Sequence, residues 1–116
     1  MSTVGELLRY DGRHVVVTGC ASGIGAQVAR QVAELGGRVT GLDLRAPDDR
    51  SALDRFVEID LSQESSIDAA VGEIQAPVDA LFNVAGVSSG IGDPMLVVRI
   101  NFLDARRFTE ALEDRM

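Results

Sequence analysis

Glycines at 19, 23 and 25 stand between a β-branched run, His14-Val15-Val16-Val17, and a stretch of helical periodicity. A turn that leaves a strand and opens a helix exposes the first helical N–H groups, which have no intrahelical partner. The helix dipole adds positive potential at the same point, so a pyrophosphate can rest there. Glycine tolerates the positive φ of such a turn and lets a phosphate approach backbone without a Cβ in the way. Ser22 adds a hydroxyl donor and Ile24 lies between the last two glycines. A carboxylate, Asp43, follows eighteen residues after Gly25. Near this distance, an acid ending a second strand accepts hydrogen bonds from an adenosine ribose and repels a 2′-phosphate. Arg45, two positions later, softens that preference. A P-loop is excluded, because all eleven basic residues are arginine and no Gly-Lys-Ser/Thr exists.

The elements that must position these groups follow from periodicity. Residues 14–17 lack polar alternation, as expected of a strand buried on both faces of a parallel sheet. After the turn at 18–25, Ile24, Val28 and Val32 recur every fourth position, Leu35 extends that face, and Gly36-Gly37 ends the helix. Residues 38–43 read as a second strand, 45–54 as a polar loop or one turn of helix, and 56–60 as a third strand. Ser62 is placed to cap a helix over 63–75, with Ile67, Val71 and Ile74 on one face. Pro77 closes it, 78–83 form a fourth strand, and a Gly/Ser-rich loop (85–94) leads into a last helix from about 95 to 114. Leu96, Ile100, Leu103, Phe108 and Leu112 form the apolar stripe of that helix.

The order β-α-β-α-β-α-β-α implies an α/β fold, a doubly wound parallel sheet with right-handed crossovers. The expected strand order is 3-2-1-4, the N-terminal half of a Rossmann-like dinucleotide-binding sheet. Strand four then becomes an apolar edge, so the chain is expected to need more sheet than it has. The 116 residues make one small domain, 1–116, with no internal repeat or linker.

Composition narrows the function classes. Eighteen acids against eleven arginines give −7, which argues against nucleic acid and anionic membranes. The acids concentrate in the second half, fourteen of them after residue 46. No apolar run reaches the roughly 20 residues of a membrane span, and the N-terminus lacks the pattern of a signal peptide. One cysteine and one histidine cannot build a Cys/His zinc site, so no metal is expected, and the expected compartment is the cytoplasm. Cys20, in the phosphate turn, is either a tolerated small residue or a thiol with lowered pKa. His14 reads as a strand-start residue rather than a base. Ser88 and Ser89 are either loop serines or part of a substrate mouth.

With these residues in hand, the sequence resembles the short-chain dehydrogenase/reductase family. Its turn is Thr-Gly-x-x-x-Gly-x-Gly, matched throughout by Thr18-Gly19-Cys20-Ala21-Ser22-Gly23-Ile24-Gly25. Asp60-Leu61 resembles the pair that contacts adenine, and Asn83-Val84-Ala85-Gly86 the Asn-Asn-Ala-Gly segment, with Val84 in place of the second Asn. Ile100-Asn101 resembles the site of the family's helix asparagine, a member of the Asn-Ser-Tyr-Lys tetrad. Asp104 departs from the pattern, since glycine is usual three residues after that asparagine. Within the family, the resemblance is to the branch of coniferyl-alcohol dehydrogenase and bacterial hydroxysteroid dehydrogenases.

This resemblance implies an oxidoreductase that exchanges hydride between NAD, less so NADP, and a small-molecule alcohol or ketone. It implies cofactor contacts at Gly19, Ser22, Gly23, Ile24, Gly25, Asp43, Asp60, Leu61, Asn83, Ala85 and Gly86, and a catalytic role for Asn101. It also implies a homodimer or homotetramer for the complete protein. The family's tyrosine acts as general acid/base because a lysine four residues later stabilises its phenolate. Here the only tyrosine, Tyr10, precedes strand one and is followed four residues on by His14. The expectation is therefore the cofactor-binding half of an NAD-dependent enzyme, inactive alone, with the tyrosine and lysine beyond Met116. Two other classes remain open: a non-catalytic nucleotide-binding or interaction module, and an S-adenosylmethionine methyltransferase.

Overall fold

The computed structural model describes residues 9–86 and 92–116. Ser88 and Ser89 lie outside the described residues. Four parallel strands, β1 (His14–Thr18), β2 (Arg38–Asp43), β3 (Arg55–Glu58) and β4 (Ala80–Asn83), form one sheet in the order β3-β2-β1-β4. This is the 3-2-1-4 order expected from the sequence. The helices are α1 (Gly23–Glu34), α2 (Glu64–Glu73), α3 (Pro94–Val98) and α4 (Ala105–Leu112). A π-helical turn, Arg99–Asp104, joins the last two, and a 3-10 turn, Glu113–Arg115, follows.

The side chains of β1 divide between two cores because successive residues point to opposite faces. Val15 and Val17 pack with Ala29 and Val32 of α1, whereas Val16 packs with Ile67, Val71, Phe108 and Leu112 of α2 and α4. Each face of the central strands is thereby covered by helix, which is why β1 carries no polar alternation. Gly41 in β2 is required by packing: a Cβ there would lie 2.7 Å from Cys20 Sγ.

The far end of the sheet is tied by polar groups. The His14 backbone N–H donates to Asp79 Oδ2 at 2.8 Å. His14 Nδ1 meets the Pro77 carbonyl at 3.0 Å and Nε2 the Thr40 hydroxyl at 2.7 Å. A carbonyl only accepts, so Nδ1 carries the proton, and in the neutral ring Nε2 accepts from Thr40. This bears out His14 as a buried strand-start residue.

The structure corrects several element boundaries. Helix α2 starts at Glu64 with Gln63 as its N-cap, not Ser62, and it ends at Glu73. Ser62 instead bonds Asp60, whose turn precedes the helix. Strand β3 begins at Arg55 and ends at Glu58, because Asp60 leaves the ladder to form that turn, and β4 begins only at Ala80. The last helix is not continuous: the π turn interrupts it and rotates Leu103 out to 52% exposure. Ile24 also leaves the expected core face, at 74% exposure, and lines the cleft described below. The apolar edge at β4 is present, with Ala80, Leu81 and Phe82 half-buried.

Candidate functional site

A cleft of about 370 Å³ opens at the carboxyl ends of the strands. Its volume falls within the range of ligand sites. It lies where β1 has neighbours on both sides, reached by crossovers in opposite directions, the usual ligand position in open α/β sheets. Gly19, Ser22, Ile24, Gly25, Asp43, Asp60, Leu61, Ala85 and Gly86 line it, all of them foreseen. Leu44, Ile59, Ser62, Val84 and Ile100 line it as well and were missed. Leu44, Ile59 and Ser62 each adjoin a foreseen residue, so widening those motifs by one position finds them.

The glycine turn is built by exclusion. A Cβ at Gly25 would fall 1.9 Å from the Gly19 carbonyl oxygen, a distance no side chain can occupy. At Gly19, with φ +74°, a Cβ would fall 2.8 Å from the Ala85 nitrogen. Gly23 needs its glycine only for φ +60°, since open space surrounds it. The turn ends at Ser22, the N-cap of α1, whose side chain makes no capping hydrogen bond. The first turn of α1 contains no acid. The helix thus presents unpaired N–H groups and its positive dipole end to the cleft.

Asp43 occupies the end of β2 with both carboxylate oxygens engaged. Oδ2 accepts from the Ala21 backbone N–H at 3.0 Å and Oδ1 from that of Leu44 at 2.7 Å. Each oxygen keeps a further acceptor site, and Asp43 lines the cleft. The same carboxylate raises the Cys20 pKa, although burial is the larger cause, and the thiol is pushed up to about 11. Cys20 is therefore a neutral packing residue, contrary to the reading of an activated thiol.

On the opposite wall, the Thr18 hydroxyl accepts from the Val84 and Ala85 N–H groups, each at 3.1 Å. That joins the ends of β1 and β4. Asp60 Oδ1 accepts from both the backbone and the hydroxyl of Ser62, at 2.9 and 2.6 Å. Asn83 does not line the cleft; its Nδ2 donates to Thr109 Oγ1 of α4 at 2.7 Å. Asn101, in the π turn, sits against Gly86, where an added Cβ would meet its Oδ1 at 2.7 Å. Among the described residues, no cluster of three metal-ligating side chains exists and no helix is long and apolar enough to cross a membrane.

The model of the short chain dehydrogenase family matches residues 13–109. The chain belongs to that family. A coniferyl-alcohol dehydrogenase of Pseudomonas sp. (strain HR199 / DSM 7063) is 39% identical over 109 residues, covering 94% of this chain and 42% of that protein. The RhlG/NADP active-site complex of Pseudomonas aeruginosa superposes with a TM-score of 0.76 at 26% identity, over 97% of this chain and 49% of that one. A short-chain dehydrogenase/reductase of Mycobacterium ulcerans reaches 0.80 at 22% identity, over 94% and 48%, which shows a shared fold. The chain spans less than half the length of the curated relative and about half that of the solved structures. The family assignment leaves the methyltransferase alternative without support.

Proposed function

We propose that the cleft binds NAD, and that this chain is the cofactor-binding part of an oxidoreductase acting on an alcohol/ketone pair. The observation that carries the reading is the uncapped N-terminus of α1, opening on a cleft beside the Asp43 carboxylate. In this reading the pyrophosphate lies over Gly19 to Gly25, including Gly23, with Ser22 donating a hydrogen bond and Ile24 covering it. Asp43 accepts from the adenosine ribose, and its charge repels a 2′-phosphate, which favours NAD over NADP. Asp60 and Leu61 flank the adenine, while Ala85 and Gly86 flank the nicotinamide half. Asn83 acts indirectly, by holding the end of β4 to α4.

The bound cofactor supplies hydride transfer. The residues of this chain bind and orient it, and Asn101, which sits against Gly86, takes the role of the family's catalytic asparagine in this reading. General acid/base chemistry of the family type needs a tyrosine next to a lysine. The sequence has no lysine, and Tyr10 packs beside Gly37 at the other end of α1. We therefore assign no turnover to these 116 residues alone. The name of the coniferyl-alcohol relative supports an aromatic alcohol as the substrate class, with the hydroxysteroid type as the other member of that branch. A cytoplasmic homodimer or homotetramer is the assembly proposed for the complete protein.

Calorimetric titration with NADH and NADPH tests the reading. Saturable NADH binding that exceeds NADPH binding is expected, with the gap narrowed in Asp43→Ala. An unchanged ratio in that variant removes Asp43 from the ribose. Measurable oxidation of any alcohol with NAD by the chain would contradict the assignment of inactivity.

A further inference from the structure

The two ends of the π turn are the two members of one ion pair: Arg99 Nε lies 3.3 Å from Asp104 Oδ2. On an α-helix, residues three or four apart face each other. A π turn closes from i to i+5, which is the spacing of this pair. The Asp104 side chain keeps only 13% of its exposure, so its charge is well shielded from water. The other arm of the guanidinium, Nη2, donates to the carbonyl of Ser62. Ser62 belongs to the Asp60 turn that walls the cleft. One arginine thus spans from the segment carrying Ile100 and Asn101 to the Asp60–Ser62 turn. Its planar fork suits two acceptors at once. The next arginine bridge, Arg107 to Glu64 and Asp68, ties α4 to α2 and leaves the cleft untouched.

We propose that Arg99 is a positioning residue: held by Asp104, it fixes the π turn, and with it Ile100 and Asn101, against the Asp60–Ser62 wall. The proposal rests on the reading of the cleft as a dinucleotide site. Asp104 stands where the family usually has glycine, so this pair lies outside the motif that relates the chain to its family.

The test titrates the full chain with NADH, with melting and amide exchange followed on the same samples. Arg99→Ala and Asp104→Asn are each expected to weaken NADH binding about fivefold. Both should speed exchange of the Ser62 amide while lowering Tm by less than about 4 °C, since the Arg99 end of the pair is half-exposed to water. The double variant should bind no more weakly than Arg99→Ala alone, because one device cannot be broken twice. Lower Tm with unchanged NADH affinity, or additive losses in the double variant, would overturn the proposal and leave the pair as a packing brace. If Arg99→Ala does not fold, Asp104→Asn decides by the same readouts. Should the unaltered chain bind neither NADH nor NADPH, the dinucleotide reading fails separately. Ser62 exchange then decides: faster exchange in the variants supports the clamp, and unchanged exchange overturns it.

Discussion

The two walls of the cleft are held by different means. The wall made by the glycine turn and Asp43 rests on close backbone packing of Gly25 on the Gly19 carbonyl and on the Asp43 carboxylate, which accepts from two amides. The wall made by β4 and the π turn is assembled from side chains that meet across the fold. Thr18 reaches Val84 and Ala85, Asn83 reaches Thr109, and Arg99 reaches Ser62. A Cβ at Gly19 or Gly25 would run into backbone, whereas the contacts of the second wall depend on single side chains. In the proposed reading, phosphate recognition, which needs fixed amides, falls on the rigid side.

This contrast is breakable, and the largest effect belongs to the backbone wall. Gly25→Val forces a side chain into the Gly19 carbonyl, and a loss of about 3 kcal/mol or more of stability is expected. Chemical denaturation measures it; a loss below about 1 kcal/mol would show that the turn can yield. Gly19→Val adds both a left-handed φ and a clash with Ala85, and it should abolish NADH binding in a titration. For Asp43→Ala, NADH affinity should fall about tenfold, the scale of one charged hydrogen bond, while NADPH affinity changes less.

On the side-chain wall the effects shrink. Asn83→Ala should cost about 0.5–1 kcal/mol by denaturation, because it removes one exposed hydrogen bond to Thr109. A cost as large as that of Gly25→Val would erase the contrast between the walls. A further effect is a pH dependence beneath the turn. The folded Cys20 pKa, about 11, lies above its ordinary value of 9.0. The unfolded thiol therefore ionises first, and stability from this group is whole below pH 9, declines as pH rises, and levels off above 11. Denaturation of the chain and of Cys20→Ala across that window should show the slope only in the former. An equal slope in both would place the titration elsewhere.

The rigid wall was legible in the sequence because it is local. A β-branched run, three glycines, an amphipathic stretch and an acid at the end of the next strand all lie between 14 and 43. The strand order followed from chain topology, since right-handed crossovers leave few arrangements. The other wall was only partly legible. Ala85 and Gly86 announced themselves by their place after a strand, yet Asn83 serves Thr109, a partner 26 residues away. The π turn was invisible, because apolar spacing at Leu96, Ile100 and Leu103 fits an unbroken helix equally well. Asp104 was visible as an oddity, but its partner at i−5 becomes a neighbour only once the helix widens. Ile24 was placed on the core face by period alone. It is exposed because it faces the cleft, which periodicity does not encode.

The central claim is that the cleft is a dinucleotide site built on the glycine turn. A calorimetric titration of the chain with NADH, beside NADPH and the Gly19→Val variant, tests it most directly. The account predicts one saturable site for NADH, weaker binding of NADPH, and no binding to the variant. Absence of saturable NADH binding, or equal binding by Gly19→Val, would contradict it.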